Sequence, residues 1–210
     1  QLIVMILALP LLGALINGTI GKNLPKQIVG SIATIVMFAA FGLALMVFNS
    51  NHEEKIIHLF SIINLDSLTL NARFQVDSLS IWMTLIVTGV GSLIHLFSMG
   101  YMSHDKGYYK FFTYLNLFIF AMLILVLGSN YFMLFFGWEG VGICSYLLIG
   151  FHYSDEQKGM LNGLAARKAF IMNRIGDLGL LIALFLILMQ FGTLEYREVA
   201  DKLLVENMMP

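Results

Sequence analysis

Charged side chains and cysteine are both scarce in this sequence. Of its 210 residues, 12% are charged and 59% are hydrophobic, with a mean hydropathy of +0.83. A soluble domain is about a quarter charged, and its single core has no room for successive apolar segments of about twenty residues. The one cysteine, Cys144, excludes an internal disulfide and a cysteine-ligated metal or cluster site. We therefore expect a membrane protein in which no redox centre is visible.

Basic residues are scattered singly along the chain. The twelve Lys and Arg form no patch and the formal net charge is −1, which argues against nucleic acid or an anionic substrate as a partner. The stretch from Leu2 to Ile16 lacks the basic start and the cleavage site of a signal peptide, so we expect a spanning helix there. Because the sequence starts without an initiator methionine and stops soon after an amphipathic stretch, we expect it to be a piece of a longer protein.

Six apolar runs are long enough to cross a bilayer as helices. They cover residues 2–19, 28–48, 78–99, 111–128, 131–151 and 166–191. The fourth and fifth are separated by Gly-Ser-Asn at 128–130, which allows only an antiparallel helical hairpin. Between the second and third, residues 68–77 alternate apolar and polar side chains, the period of a strand. We expect an all-α polytopic fold with one β-hairpin outside the bilayer, in which 56–63 is the partner strand and 64–67 the turn.

Lysine and arginine are distributed unequally between the two sides of this bundle. The loops after the first, third and fifth spans hold seven of them: Lys22, Lys26, Lys106, Lys110, Lys158, Arg167 and Lys168. The other side holds four: Lys55, Arg73, Arg197 and Lys202. By the positive-inside rule the first side is cytoplasmic or matrix, so the N-terminus and the hairpin face outward.

The stretch from Thr193 onward has the pattern of an amphipathic helix. Thr193 can cap it, and Tyr196, Val199 and Leu203 fall on one face. We expect a helix on the outer surface, with a solvated connector to a further membrane segment as the alternative.

The titratable side chains at membrane depth are Glu139, Arg174 and Asp177, with His95 nearer one end of its span. An ionised group in hydrocarbon costs at least about 2–3 kcal/mol, so such side chains usually face a partner or a wet cavity and mark a transport path. Glu139 lies near the middle of its span, where its short side chain cannot reach the interface. Glu139 is therefore our candidate for proton transfer, Arg174 and Asp177 are candidates for a tuning or ion pair, and His95 is a secondary candidate.

Arg174 and Asp177 are three residues apart and share a face of the sixth span. At 1.5 Å per residue, Asp177 lies roughly 15 Å and Glu139 about 18 Å from the same side of the bilayer. We expect both acids in one layer of the bundle, with Arg174 as a tuning or ion-pair partner. A pair that only locks packing is the alternative, and for His95 the alternative is an interfacial or hydrogen-bonded core histidine.

Gly137, Gly140 and Gly142 surround Glu139 in the sequence. A phosphate-binding loop is excluded, because no strand precedes these glycines and no Lys-Ser or Lys-Thr follows them. Small residues in a spanning helix instead allow another helix to approach closely.

The same residues carry a resemblance to a known family. Phe-Gly-Trp-Glu-Gly-Val-Gly-Ile-Cys-Ser-Tyr-Leu-Leu-Ile-Gly-Phe at 136–151 and Lys-Ala-Phe-Ile-Met-Asn-Arg-Ile-Gly-Asp at 168–177 resemble the L-type subunit (chain 5) of proton-pumping NADH:quinone oxidoreductase, respiratory complex I. The likeness extends to Phe-Gln-Val-Asp-Ser-Leu-Ser at 74–80 and Ser-Leu-Ile-His-Leu-Phe-Ser at 92–98. Related M-type and N-type subunits and multisubunit cation/proton antiporters share the glutamate, but Gly-Val-Gly-Ile-Cys-Ser-Tyr favours the L type.

The resemblance implies an antiporter-like fold of inverted five-helix repeats, whose first repeat starts at the fourth span and is incomplete at Pro210. It also implies that Glu139 is the family's proton-carrying glutamate, and that Arg174 and Asp177 tune it or relay protons to it. The family's partner lysine has no counterpart, since we expect every lysine here in a loop or at a helix edge. His152 departs from the aromatic residue expected at its position.

On this resemblance we expect a proton-translocating membrane-arm subunit that couples quinone reduction to proton transport through Glu139. We expect no cofactor or metal on this chain, since NADH, flavin, iron–sulfur clusters and quinone are expected on partner subunits. The expected partners are other membrane-arm subunits, especially the adjacent M-type subunit, and lipids, with no nucleic acid. A subunit of a cation/proton antiporter is the first alternative, and a structural membrane subunit is the second.

The expected organisation has three parts. Residues 1–110 hold two helices, the hairpin and a third helix; residues 111–192 hold helices four to six, the start of the first repeat; and residues 193–210 form the surface helix or connector. We expect a multi-pass protein of the bacterial inner membrane rather than the mitochondrial one.

Overall fold

The computed structural model describes residues 2–50, 54–65, 68–155 and 159–207. Within these ranges, six helices are long and apolar enough to cross a membrane. They are α1 (Leu2–Thr19), α2 (Lys26–Asn49), α3 (Ser78–Tyr101), α4 (Tyr108–Leu127), α5 (Tyr131–Ile149) and α6 (Gly159–Phe191). The predicted multi-pass helical fold is confirmed. Five of the six helices both begin and end within three residues of the predicted bounds.

The sixth helix is longer than its apolar run. It begins at Gly159 rather than at residue 166. The added segment, 159–165, contains good helix formers in its Met, Leu and Ala residues, whereas its two glycines and Asn162 lower its mean hydropathy. The 33 residues of α6 span about 50 Å, more than the ~30 Å of a hydrocarbon core. The expectation that every lysine lies in a loop or at a helix edge is wrong for Lys168, which lies more than two turns inside α6, and for Lys202, which lies in the middle of a short helix at Tyr196–Asn207.

The predicted hairpin is also confirmed. Strands β1 (Lys55–Leu65) and β2 (Leu68–Val76) pair antiparallel. Residues 64 and 65, predicted as part of the turn, extend β1, whereas 66 and 67 lie outside the described residues. The strand β2 alternates because Ala72, Phe74 and Val76 are buried against the helices. The register shifts between His58 and Phe60, which explains the poorer alternation of β1.

The helices pack in sequence order around one apolar interior. Helices α1 to α4 form a bundle, α5 packs on α4, and α6 packs on α5 with most of its surface exposed. Ile6, Met37, Phe112, Leu123 and Leu127 are fully buried in the α1–α4 bundle. The short turn between α4 and α5 makes them neighbours, as predicted.

Hydrogen bonds join the loops at the end of the helix bundle where the hairpin lies. The Ser129 N–H in the α4–α5 turn donates to Arg73 O of β2 at 3.2 Å, and the Tyr131 N–H donates to Leu194 O at 3.0 Å. The Asn130 amide donates to Asn71 O at 3.0 Å and accepts from the Met133 N–H at 2.8 Å, so it caps α5. The hairpin, this turn and the α6–α7 link therefore form one structural unit.

A short helix, α7 (Tyr196–Asn207), follows that link. Of the three apolar side chains predicted on one face, Val199 is buried and Tyr196 is half-buried, whereas Leu203 is 42% exposed. The first turn of α7 therefore rests on the bundle, and its second half does not.

The loops after α1, α3 and α5 meet on the opposite side. They surround an open cleft of about 1070 Å³, whose lining includes Lys22, Lys26, Lys106 and Lys110. Four of the seven basic residues assigned to one side of the membrane thus share one surface. Which compartment this surface faces stays a prediction.

Candidate functional site

The two acids and the arginine predicted at membrane depth meet between α5 and α6. Arg174 forms an ion pair with Glu139, from its Nη1 to Oε2. Its Nε lies 3.1 Å from Asp177 Oδ2. Because Glu139 belongs to α5 and the other two to α6, one guanidinium joins two carboxylates across a helix–helix contact.

The cluster is unevenly buried. The Asp177 side chain is 7% exposed, that of Glu139 19% and that of Arg174 36%. The guanidinium lies over the Phe170 ring, 4.7 Å from its centroid, and a cation over an aromatic face is stabilised. Phe170 was not among the predicted site residues, although its position one turn before Arg174 on α6 is the signal that could have identified it.

Trp138 is a second residue that sequence reasoning missed. Its indole N–H donates to Asp177 Oδ1 at 2.7 Å. The signal was present, because a tryptophan inside a span carries a donor that needs an acceptor. Trp138 and Glu139 are consecutive on α5, yet one reaches Asp177 and the other Arg174. The four side chains therefore form a row of three polar contacts, from Trp138 through Asp177 and Arg174 to Glu139.

The glycines of α5 hold the helix in this position. A Cβ on Gly137 would lie 2.5 Å from Leu125 N, and one on Gly140 would lie 2.8 Å from Ala121 Cβ, both on α4. A Cβ on Gly142 would lie 3.5 Å from Arg174 Nη2. The first two glycines thus permit the close approach of α4 that their spacing predicts, and the third faces the guanidinium.

The charges of the cluster do not balance. With both carboxylates ionised, its formal charge is −1, and one bound proton makes it zero. A net charge at membrane depth is costly, so the arrangement is suited to hold one proton. Among the described residues, the buried Arg174 Nη2 has no hydrogen-bond partner, and Asp177 Oδ2 has the ion pair with Arg174 but no hydrogen bond. Such atoms usually bind water.

His95 lies elsewhere. It is 0% exposed in the α1–α4 bundle, with Nδ1 2.7 Å from Gly91 O and Nε2 3.1 Å from Asn116 Oδ1. It is therefore a hydrogen-bonded core histidine rather than an interfacial one. His152, in contrast, lies on the basic side, 3.5 Å from Asp105 Oδ2.

The described residues contain no group of three His, Cys, Asp or Glu side chains that could hold a metal ion. The polar groups of this site are two carboxylates, one guanidinium and one indole N–H.

Two family models match the chain. The model for "NADH-Ubiquinone oxidoreductase (complex I), chain 5 N-terminus" matches residues 62–112, and that for "NADH:quinone oxidoreductase/Mrp antiporter, TM" matches residues 128–209. NADH-quinone oxidoreductase subunit L of Pseudomonas aeruginosa is 44% identical over 198 residues, which are 90% of this chain and 31% of that protein. The chain belongs to the subunit L (chain 5) family.

A second curated relative and one solved structure are also similar to this chain. NADH-ubiquinone oxidoreductase chain 5 of Hypocrea jecorina is 40% identical over 199 residues, 92% of this chain and 28% of that protein. A chain in the structure of the Mrp complex from a Dietzia species superposes with a TM-score of 0.77 at 24% identity, over 95% of this chain and 21% of that one. This likeness to the Mrp complex is one of fold. The chain spans about a third of the length of the curated relatives that it matches.

Proposed function

We propose that this chain is a proton-translocating membrane subunit of an NADH-quinone oxidoreductase, and that Glu139, Arg174 and Asp177 form its proton site. One observation carries the proposal: a single guanidinium faces two carboxylates from two packed spanning helices. Membership of the subunit L family supports the respiratory assignment.

In the proposed mechanism, Arg174 shares its charge unequally between the two acids. When the guanidinium moves toward Asp177, Glu139 loses its counter-charge and binds a proton, because an unpaired carboxylate at this depth is costly. When the guanidinium returns, Glu139 releases the proton. The Trp138 indole holds Asp177 in place through the exchange, so the moving charge is that of the arginine.

The remaining assignments belong to the same proposal. The surface with the lysine-lined cleft faces the cytoplasm or matrix, by the positive-inside rule. The membrane is the bacterial inner membrane, residues 111–192 start an antiporter-like repeat, and an M-type subunit is the neighbour. NADH, flavin, iron–sulfur clusters and quinone are held by partner subunits, and the long-range drive for proton transfer comes from them.

NADH-driven proton uptake by inverted membrane vesicles tests the proposal, with the full-length chain in its complex. Glu139→Gln and Asp177→Asn remove one charge each with little change in shape. We expect proton uptake per NADH oxidised to fall well below the wild-type value, because a positioned proton-transferring group typically contributes about 100- to 10,000-fold to the rate of proton transfer. Asp201→Asn, the same change on an exposed face of α7, should leave uptake as in the wild type.

The outcome distinguishes the alternatives. Wild-type uptake in an assembled Glu139→Gln complex would refute the proton site and leave the charges as packing elements. The Mrp name of one family model and the Mrp fold likeness favour a cation/proton antiporter subunit as the second candidate. That candidate predicts cation-dependent proton exchange that requires Glu139 but does not respond to NADH.

A further inference from the structure

His95 and Asn116 form a polar site of their own inside the α1–α4 bundle. Both are 0% exposed. The spans of α1 to α4 contain no Asp or Glu, and β2, which also touches α3, carries Arg73 at the far end. The other titratable or charged residues of these helices lie toward the basic side: Lys26 on α2, Tyr101 on α3, and Tyr108, Tyr109, Lys110 and Tyr114 on α4. No carboxylate of these helices therefore faces His95.

Both ring nitrogens of His95 face hydrogen-bond acceptors. Nδ1 lies 2.7 Å from Gly91 O, and a carbonyl oxygen only accepts, so Nδ1 carries a proton. Nε2 lies 3.1 Å from Asn116 Oδ1. In this orientation of the amide, Nε2 must carry a proton as well, because two acceptors cannot bond to each other. The amide oxygen can therefore face Nε2 only when His95 is an imidazolium.

A neutral His95 requires the opposite orientation of the amide. After a half-turn of the Asn116 side-chain amide, Nδ2 donates to the unprotonated Nε2. The oxygen and nitrogen of an amide are nearly the same size, so the half-turn leaves the packing unchanged. The bond from Nδ1 to the Gly91 carbonyl persists in both states and keeps the ring in one place.

On the side away from His95, the surroundings of the Asn116 amide allow both of its orientations. Asn116 Nδ2 has no hydrogen-bond partner among the described residues, and neither has Asn17 Oδ1 on α1. A Cβ on Gly13, one turn before Asn17, would lie 2.9 Å from Asn116 Nδ2. A water beside the amide can accept from Nδ2 in the first orientation and donate to Oδ1 in the second.

We propose that His95 and Asn116 form a second proton-binding site, in which the Asn116 amide turns when His95 gains or loses a proton. The site goes beyond the α5–α6 cluster and does not depend on it. The site binds a proton, and the orientation of the buried Asn116 amide depends on whether that proton is bound.

Infrared difference spectroscopy tests this site in the full-length protein within its complex. Asparagine carries a carbon-13 label at the side-chain carbonyl, and spectra are compared between roughly pH 5 and pH 8, on either side of the ordinary histidine pKa. The carbonyl band that is present in the wild type and absent from Asn116→Leu is assigned to the Asn116 side chain. We expect this band to shift with pH in the wild type and to stay fixed in His95→Gln, which keeps a polar side chain but cannot titrate.

Two results overturn the proposal: no shift of an asparagine band in the wild type, or a shift that persists in His95→Gln. Gly13→Ala provides a second test, because its Cβ obstructs the amide. In that variant we expect the histidine ring bands to change with pH while the Asn116 band stays fixed. Gly100→Ala, where no atom lies within 4 Å of the new Cβ, should behave as the wild type. A wild-type shift in Gly13→Ala also counts against the turning amide.

Discussion

Replacement of Gly137 by alanine tests the packing on which the α5–α6 site depends. The new Cβ would lie 2.5 Å from Leu125 N and 2.7 Å from Leu125 Cα, whereas carbon atoms in contact are separated by about 3.5–4 Å. Both obstructing atoms belong to the α4 backbone, so no side-chain rotation relieves the overlap. Helix α5 must therefore retreat by about 1 Å, and overpacking of this kind costs about 1–3 kcal/mol.

The displacement also reaches the charged cluster. Glu139 is two residues beyond Gly137 on the same helix, so its carboxylate moves relative to Arg174. A misplacement of about 1 Å at a reacting group can cost about 100-fold in rate. We expect Gly137→Ala to melt at a lower temperature in detergent and to lose most proton uptake in the complexes that still assemble.

Gly42→Ala is the matched control, because no atom lies within 4 Å of its Cβ position on α2. It should melt at or slightly above the wild-type temperature, because alanine is the better helix former by about 1 kcal/mol. Equal melting temperatures for the two variants would refute the close contact of α4 and α5, and with it the role of Gly137 in placing Glu139.

Three further substitutions test single side chains. Trp138→Phe keeps a ring but removes the donor to Asp177, so we expect a loss of about 1.5–3 kcal/mol in stability and reduced proton uptake; Trp82→Phe, a half-exposed tryptophan on α3, should change neither. Asn130→Ala removes the cap of α5 and two further hydrogen bonds of a buried side chain, so we expect a loss of about 2 kcal/mol and faster hydrogen exchange in β2 and α7. Asp77→Ala removes the cap of α3 and should cost about 1 kcal/mol at neutral pH, with the cost fading in acid.

The acid dependence follows from the environment of Asp77. Burial alone would raise its pKa, but hydrogen bonds from the Ser80 N–H and hydroxyl and from the Gln75 amide outweigh burial and lower it. The folded value lies below the unfolded value of about 3.9. The ionic part of the cap is therefore fully present above about pH 4 and is lost as the pH falls through the folded value. Melting curves of wild type and Asp77→Ala that stay equally far apart in acid would contradict this account.

The other two variants have equally direct tests. Unchanged exchange in β2 after Asn130→Ala would show that the α4–α5 turn does not hold the hairpin. Equal uptake in Trp138→Phe and Trp82→Phe would show that the indole N–H has no part in placing Asp177.

The helices could be predicted because their signal is local. An apolar run of about twenty residues identifies a span wherever it occurs, and α1 and α3 start at the predicted residues. The start of α6 could not be predicted in this way, because its first two turns are helical by propensity and have a lower hydropathy. The strand β2 was visible because one of its faces is buried. The irregular register of β1 left no such pattern.

The candidate site was only partly visible in the sequence. The spacing of Arg174 and Asp177 places them on one face of a helix, and depth alone put Glu139 in the same layer. No spacing rule indicates that the Trp138 indole reaches Asp177 or that Asn116 meets His95. Both contacts join side chains of neighbouring helices, so they form only when those helices pack together.

The sequence by itself determined which segments cross the membrane, which acids lie deep within it and to which family the chain belongs. These properties depend on composition, on period and on short motifs, all of which are local along the chain. Only the tertiary structure decided that one arginine serves two carboxylates and that a buried histidine faces an asparagine amide. Hydrogen bonds and ion pairs require distances of about 3 Å, and such distances between different helices exist only after the chain has packed.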